Sequence, residues 1–235
     1  MHRTTASPSI LIVGASRGIG LGLVREYLSR GWQVIATERA PSPDSALGRL
    51  AQASVGALRV EAIDIDRPEQ IAALSERLRG AALDVLLVNA GVIDNDPQLP
   101  IGQIGTEEFT RLMVTNALSP LRVIEMLAAQ VKPQGTIAAM SSGLGSIANN
   151  ADGGSELYRA SKAALNMLLR SYTARAGGER TVLALMPGWV RTDMGGPKAP
   201  VTVEQSAWGL ADTIARNAGQ RGMAFVDYQN APIAW

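Results

Sequence analysis

The chain has no cysteine and only one histidine, His2, which lies in a polar N-terminal segment. The absence of cysteine excludes disulfides, thiolate metal sites and a cysteine nucleophile. A single histidine near the terminus gives no plausible ligand set for zinc. It also leaves Ser16 and Ser142 without a histidine base, so a hydrolase triad is excluded. We therefore predict no metal site and no nucleophilic hydrolase.

An excess of charge of either sign is also missing. Lysine and arginine together number 22 and the acidic residues 21, and lysine occurs only at positions 132, 162 and 198. This balance gives no electrostatic footprint for nucleic acid or for an anionic membrane. The apolar run Ile10–Ala15 is too short for a signal-peptide core, and no stretch approaches the roughly 20 apolar residues of a membrane helix. We expect a cytoplasmic globular protein that has neither of these partners.

Short apolar runs alternate with longer segments of helical periodicity along the chain. Runs that are apolar throughout suit strands of a parallel sheet covered on both faces, and repeated βα units imply right-handed crossovers. We predict a single-domain α/β Rossmann fold over residues 1–235, with residues 1–8 a disordered tail and a doubly wound, seven-stranded parallel sheet flanked by helices. The predicted strands are Ile10–Val13, Gln33–Thr37, Leu58–Ile63, Val85–Val88, Gly135–Met140, Val182–Met186 and Met223–Val226. The predicted helices are Gly18–Arg30, Pro68–Arg79, Glu107–Gln130, Leu157–Ala176 and Val203–Asn217.

The first strand runs into a glycine-rich turn, Gly14-Ala-Ser-Arg-Gly18-Ile-Gly20, and then into a helix. Such glycines permit a tight turn and let the backbone approach a pyrophosphate, which the helix N-terminus attracts. An ordinary glycine-rich βα turn is the alternative. The position directly after the first strand favours dinucleotide binding.

The end of the second strand bears on which dinucleotide binds. A carboxylate there accepts hydrogen bonds from the adenosine ribose of NAD(H), whereas an arginine pairs with the 2′-phosphate of NADP(H). The sequence has both, Glu38 followed by Arg39, and Arg17 in the glycine turn is a second cation. Two cations against one carboxylate favour NADP(H), while NAD(H) stays open.

Tyr158 and Lys162 are four residues apart at the start of a predicted helix and so share one face. The pKa of a free tyrosine is about 10, and a nearby ammonium together with a positively charged nicotinamide is expected to lower the Tyr158 pKa toward neutrality. Taken alone, the pair is common on exposed helix faces. The surroundings of the pair are more specific, because further candidate residues follow strands at the same edge of the sheet. They are Asn89 and Gly91, Ser141 and Ser142, and Pro187–Thr192, with Asn116 in the helix after the fourth strand.

These motifs, taken in order from Ile10 to Asn217, resemble the short-chain dehydrogenase/reductase family, and within it the C-factor and sniffer-type carbonyl reductases. The resemblance implies a catalytic tetrad of Asn116, Ser142, Tyr158 and Lys162. It implies cofactor contacts from Tyr158 and Lys162 and from Gly14, Ser16, Arg17, Gly18, Ile19, Gly20, Glu38, Arg39, Asp64, Ile65, Asn89, Ala90, Gly91, Pro187, Gly188, Val190 and Thr192. Ser142 precedes Tyr158 by 16 positions, more than the family's commonest separation, so we expect a reshaped pocket wall at Asn149–Gly154.

The resemblance also implies reversible hydride transfer between nicotinamide and a carbonyl carbon, with Tyr158 as proton donor and acceptor. Ser142 would bind the carbonyl oxygen, Lys162 the nicotinamide ribose, and Asn116 a water that resupplies the proton. The segment from Asp193 to Pro200 is short, which implies a small lid, an open pocket and hydrophobic aldehydes, ketones or diketones as substrates. We expect a homodimer, with a tetramer as the alternative. The rival function is a protein that senses the cofactor and reports to a partner with little catalysis.

Overall fold

The structure is a computed structural model that describes residues 7–235. His2 and most of the predicted tail lie outside the described residues. The carbonyl of Pro8 accepts a hydrogen bond from the backbone N–H of Gln33 at 2.9 Å, which brings residue 8 alongside the second strand.

Seven parallel strands form one sheet in the order β3-β2-β1-β4-β5-β6-β7. This confirms the predicted Rossmann sheet, and the strand order reverses between β1 and β4. Ligands bind outside the carboxyl ends of strands at such a switch point. The strands are β1 Ser9–Val13, β2 Gln33–Glu38, β3 Leu58–Ala62, β4 Leu83–Val88, β5 Val131–Met140, β6 Thr181–Met186 and β7 Gly222–Asp227.

The helices cover both faces of the sheet. They are α1 Gly18–Ser29, α2 Ala46–Ala53, α3 Pro68–Arg77, α4 Thr106–Met113, α5 Ser119–Leu127, α6 Glu156–Ala176 and α7 Val203–Asn217. Successive residues of a strand point to opposite faces of the sheet, so β1 contributes to the hydrophobic cores on both faces. Leu11 and Val13 pack beneath α3, α5 and α6, whereas Ile10 and Ile12 pack beneath α1 and α7.

Helix α2 was not predicted from the sequence. It is only 8 residues long, shorter than the window over which helical periodicity is recognised, and it buries a single residue, Leu47. The Ser45 side chain caps it by accepting a hydrogen bond from the backbone N–H of Gly48 at 2.9 Å.

The predicted helix Glu107–Gln130 is interrupted. A π-helical turn, Val114–Leu118, separates α4 from α5, and a 3-10 turn, Ala128–Gln130, ends the run. Pro120 gives a local reason, since it has no N–H to donate to the carbonyl of Asn116 four residues earlier. Asn116 therefore lies in a widened turn, the kind of irregularity that often marks a functional site.

By length and hydropathy, the run Thr106–Gln130 would suffice to cross a membrane, which the sequence analysis did not anticipate. However, 56% of its most apolar window is buried inside the fold. Val123, Ile124 and Leu127 belong to the core beneath the sheet. The run is therefore built into the globular core.

Candidate active site

The glycine turn after β1 is closed so tightly that side chains are excluded. A Cβ on Gly14, whose φ is +87°, would lie 2.7 Å from Ala90, and one on Gly20 would lie 2.2 Å from the carbonyl oxygen of Gly14. That carbonyl accepts a hydrogen bond from Asn89 Nδ2 at 2.6 Å. No side chain caps the N-terminus of α1, so its N–H groups remain available for an anion. This cradle fits a pyrophosphate.

The mixed charges at the end of β2 are separated by the fold. Glu38 is only 7% exposed, and its Oε1 accepts a hydrogen bond from the hydroxyl of Ser45 at 2.7 Å. The carboxylate is thereby tied to the start of α2, whereas Arg39 is exposed at the carboxyl edge of the sheet. A cation is thus the more accessible of the two charges at the ribose end of the cleft.

Arg17 is directed to the loop after β6, rather than to the end of β2. Its Nη1 forms an ion pair with Asp193 Oδ2 at 2.5 Å, and both side chains are exposed. Nearby, a Cβ on Gly18 would lie 3.3 Å from Cγ2 of Thr192. The glycine turn and the loop after β6 therefore meet across the cleft, and Arg39 is left as the exposed cation at the end of β2.

The segment after β3, for which the sequence predicts adenine contacts, is hydrogen-bonded to the π-helical turn. Asp64 Oδ1 accepts a hydrogen bond from the N–H of Asp66 at 3.1 Å, and Ile65 is buried. Asp66 in turn accepts hydrogen bonds from Thr115 at 2.6 Å and Ser119 at 2.8 Å. This segment is thus joined to the π-helical turn that contains Asn116.

The Asn89–Gly91 motif brings the catalytic candidates together. A Cβ on Gly91 would lie 3.2 Å from Asn116 Oδ1 and 3.3 Å from Lys162 Nζ, so only a glycine leaves these side chains undisturbed. The Asn116 side chain bonds both the N–H and the C=O of Val92 at 2.8 Å, and its Nδ2 also donates to Ser161 Oγ at 3.0 Å. Because its amide group is engaged in these bonds, Asn116 would have to hold a water through its main-chain carbonyl. Pro120, the residue four positions later, has no N–H to donate to that carbonyl.

Lys162 and Tyr158 occupy one face of α6, as the spacing predicts. Lys162 Nζ lies 5.7 Å from the centroid of the Tyr158 ring and donates to the carbonyl of Met140 at 2.9 Å. An ammonium has three donors, so others remain for a ribose. Ser142 is the second residue after β5, and its Oγ accepts from the N–H of Leu144 at 3.2 Å, which leaves the hydroxyl proton to be donated elsewhere.

In the protein without nicotinamide, the pKa of Tyr158 is raised. Burial, the largest effect, raises the pKa of Tyr158 to about 12; the Ser142 hydroxyl partly offsets this, and the Asp94 carboxylate raises it further. Lys162 is itself buried, which lowers the pKa of its ammonium to about 8. The desolvation of the Tyr158 hydroxyl therefore outweighs the attraction that the Lys162 ammonium would exert on a phenolate. Tyr158 is therefore held in its protonated form.

The loop after β6 completes the cleft. Pro187 accepts a hydrogen bond from Ser206 at 2.7 Å, and Gly188, with φ +85°, packs against Tyr228. Val190 is buried and pairs with Val201, while Thr192 Oγ1 accepts from the N–H of Gly195 at 3.1 Å. The chain between Val190 and Val201 is a short, internally bonded loop beside the glycine turn.

Exposed apolar side chains occur on the loops that follow β5 and β6. Leu144 and Ile147 lie after β5, and Trp189 and Met194 lie after β6. Large apolar side chains exposed on neighbouring loops indicate a contact surface for an apolar ligand. They are on the same edge of the sheet as Ser142 and Tyr158.

Comparison with known proteins agrees with this geometry. The family model described as short chain dehydrogenase matches residues 8–201. The chain belongs to the short-chain dehydrogenase/reductase family. It is an NAD(P)-dependent oxidoreductase by that membership.

Individual relatives confirm the finer resemblance to the C-factor and sniffer-type members. The chain is 40% identical over 158 residues to the C-signal of Myxococcus xanthus, covering 65% of this chain and 93% of that protein. A short-chain dehydrogenase/reductase from Burkholderia multivorans with bound NADP superposes with a TM-score of 0.95 at 47% identity, over 97% of this chain and 100% of that one. The carbonyl reductase Sniffer of Drosophila melanogaster gives 0.87 at 31% identity with the same coverage.

The sequence analysis missed several polar residues that support this short-chain dehydrogenase site. Thr37 Oγ1 accepts from the N–H of Gly14 at 3.0 Å, and Ser161 joins Asn116 to the Tyr158 carbonyl. Asp94 is 4% exposed, and its Oδ1 has no hydrogen-bond partner among residues 7–235. Spacing gives no indication of these roles, because they depend on contacts between distant segments.

Proposed function

We propose that this short-chain dehydrogenase/reductase is an NADP(H)-dependent carbonyl reductase that uses Tyr158 as its general acid and base. The main support is the convergence of Ser142, Tyr158 and Lys162 at the carboxyl edge beside the glycine cradle. NADP(H) is the favoured dinucleotide, because Glu38 is engaged by Ser45 while Arg39 is exposed, and the Burkholderia relative contains NADP.

When bound in this cleft, NADPH would supply the hydride for reduction of the carbonyl carbon. Ser142 donates its hydroxyl proton as a hydrogen bond to the carbonyl oxygen, where negative charge grows. Tyr158 transfers its phenolic proton to that oxygen, and its raised pKa in the protein alone keeps the proton available. Lys162 would hold the nicotinamide ribose through the ammonium donors that the Met140 carbonyl leaves free. In oxidation of the alcohol, Tyr158 must instead accept the proton.

Small hydrophobic aldehydes, ketones or diketones suit the cleft best. The apolar side chains of Leu144, Ile147, Trp189 and Met194 are exposed on the loops after β5 and β6, at the same edge of the sheet. The loop between Thr192 and Pro200 is short, which leaves the entrance open. A homodimer remains our expectation for the assembly.

The test is the oxidation of NADPH and, separately, of NADH by purified protein with a panel of aromatic and aliphatic carbonyls. NADPH should be the better donor, and Tyr158→Phe should abolish turnover while leaving NADPH binding within a few-fold of the wild type. Tyr172→Phe is a matched control, because Tyr172 is buried on the same helix and its hydroxyl has no partner among the described residues. Near-normal turnover in Tyr158→Phe would refute the mechanism.

The similarity to C-signal supports a second candidate, a protein that binds the dinucleotide and signals to a partner. This role requires cofactor binding but no alignment of Ser142 with Tyr158. Tight NADPH binding by the wild type without turnover of any carbonyl would favour the signalling role over the reductase.

A further inference from the structure

Asn166 lies one helical turn beyond Lys162 on α6 and is 4% exposed. Its Oδ1 accepts a hydrogen bond from the hydroxyl of Ser141 at 2.7 Å, and its Nδ2 donates to the carbonyl of Gly145 at 3.3 Å. Ser141 precedes Ser142 and Gly145 follows it by three residues. A single buried amide thus binds both ends of the turn that contains Ser142.

The same turn rests directly on the backbone of α6. A Cβ on Gly145 would lie 2.9 Å from Lys162 Cβ and 3.0 to 3.1 Å from the Lys162 carbonyl group. No side chain can be inserted there without moving the turn away from the helix. The distance between Ser142 on this turn and Tyr158 on α6 therefore depends on the contact between Gly145 and Lys162, which the hydrogen bonds of Asn166 stabilise.

Two contacts restrain the Ser142 side chain directly. Its Oγ accepts from the N–H of Leu144 at 3.2 Å within the same turn, and its hydroxyl interacts with the Tyr158 hydroxyl, which must be exchanged for the substrate oxygen during reduction. Its backbone is extended, as in the strand that precedes it. The position of its hydroxyl relative to α6 consequently depends on how the whole turn is attached to that helix.

We propose that Asn166 and Ser141 form a positioning pair that holds the Ser142 hydroxyl at the distance from Tyr158 needed to bind one carbonyl oxygen between them. This inference rests on the proposed reductase function. Neither residue of the pair contacts the reacting atoms. A misplacement of about 1 Å in a catalytic group costs on the order of 100-fold in rate, so a loosened turn would lower turnover without unfolding the protein.

A purely structural role predicts a different pattern. A buried asparagine that only fills space would lower the stability of the protein when replaced, and the folded fraction would keep its turnover number. Asn217 provides the comparison. It is buried on α7 and its Nδ2 donates to Thr213 at 2.8 Å and to Asn230 at 2.6 Å, but it lies near Thr181, where β6 begins, at the opposite edge of the sheet.

The experiment compares Asn166→Leu, Ser141→Ala and the double variant with Asn217→Leu and the wild type. For each we would measure kcat and KM with a carbonyl that the wild type reduces, the NADPH dissociation constant by fluorescence, and the isotope effect with NADPH deuterated at the transferred position. We expect kcat to fall 10- to 100-fold in Asn166→Leu and Ser141→Ala, with NADPH binding changed less than three-fold. The isotope effect on kcat should rise, because the chemical step becomes slower.

Two further results follow from the two residues acting as a unit. The double variant should lose no more than the worse single variant. Ser141→Thr, which keeps the hydroxyl, should retain most of the wild-type kcat. Asn217→Leu should lose thermal stability and keep its kcat.

The proposal is overturned if folded Asn166→Leu and Ser141→Ala keep kcat within three-fold of the wild type, or if they lose only what Asn217→Leu loses. If Asn166→Leu does not fold, Ser141→Ala and Ser141→Thr decide the question. A wild type that binds NADPH but reduces no carbonyl overturns this proposal together with the proposed function. Turnover by the wild type with unaffected variants overturns the positioning role alone.

Discussion

The buried ammonium of Lys162 should make this residue a burden on stability. Lys162 is 3% exposed and its one hydrogen bond in the structure goes to the carbonyl of Met140. Burial lowers the pKa of Lys162 to about 8 from the usual lysine value. That difference corresponds to about 3 kcal/mol of unfolding free energy lost in the charged state.

The pH dependence of this penalty has a definite sign. Below pH 8, Lys162 is charged in both the folded and the unfolded chain, and the full penalty is present. Between pH 8 and the usual lysine range the unfolded chain binds more protons than the folded one, so the penalty declines as pH rises. The contribution of Lys162 to stability should therefore become less unfavourable from pH 7 to pH 9.5.

Replacing Lys162 by methionine keeps the length of the side chain and removes its charge. We expect Lys162→Met to have no reductase activity but to be about 1 to 2 kcal/mol more stable than the wild type at pH 7. This allows about 1 kcal/mol for the lost hydrogen bond. At pH 9.5 the gain should be smaller. Urea unfolding without cofactor, followed by circular dichroism at the two pH values, measures both differences.

Lys132→Met is the matched control. Lys132 is half-exposed and pairs with Asp84 at 2.5 Å. Its replacement should therefore not raise the free energy of unfolding at pH 7, and no such gain should decline toward pH 9.5. The reasoning fails if Lys162→Met is less stable than the wild type at pH 7. It also fails if any gain is the same at both pH values.

Three further predictions concern the cofactor cleft and the proton donor. Arg39→Ala should weaken NADPH binding about 10- to 100-fold, as expected for a lost charge-assisted hydrogen bond, and leave NADH binding unchanged in fluorescence titrations. Asp94→Asn removes the carboxylate that raises the Tyr158 pKa, so the rising limb of the pH profile for alcohol oxidation, which requires the phenolate, should move to lower pH. Gly20→Ala should lower the melting temperature and prevent NADPH binding, because its Cβ would lie 2.2 Å from the Gly14 carbonyl oxygen.

Each of these three predictions has a control variant or an outcome that would contradict it. Arg25→Ala, at an exposed position on α1, should not alter the preference for NADPH; an equal loss of NADPH and NADH binding in Arg39→Ala would contradict the 2′-phosphate role. An unmoved pH profile in Asp94→Asn would mean that this carboxylate does not act on Tyr158. Gly102→Ala introduces a Cβ with nothing within 4 Å and should behave as wild type. A Gly20→Ala protein as stable as Gly102→Ala would be inconsistent with the tight turn.

Local patterns were sufficient for the elements and for much of the site. All seven strands were predicted because buried parallel strands are apolar throughout, and the long helices because their apolar residues recur at helical spacing. The same reasoning failed for α2, which buries a single side chain, and for the π-helical turn at Asn116. That turn depends on the missing N–H of Pro120 and on hydrogen bonds from Asn116 to Val92, which periodicity does not register.

The sequence by itself determined which residues reach the carboxyl edge of the sheet, since each follows a strand or begins the next helix. Tertiary structure alone decided their chemical states and partners. Packing bonds Glu38 to Ser45, pairs Arg17 with Asp193, and raises the pKa of Tyr158 in the protein without cofactor. Burial and hydrogen bonding are properties of the packed environment, and residues far apart in the chain create that environment only when the domain folds.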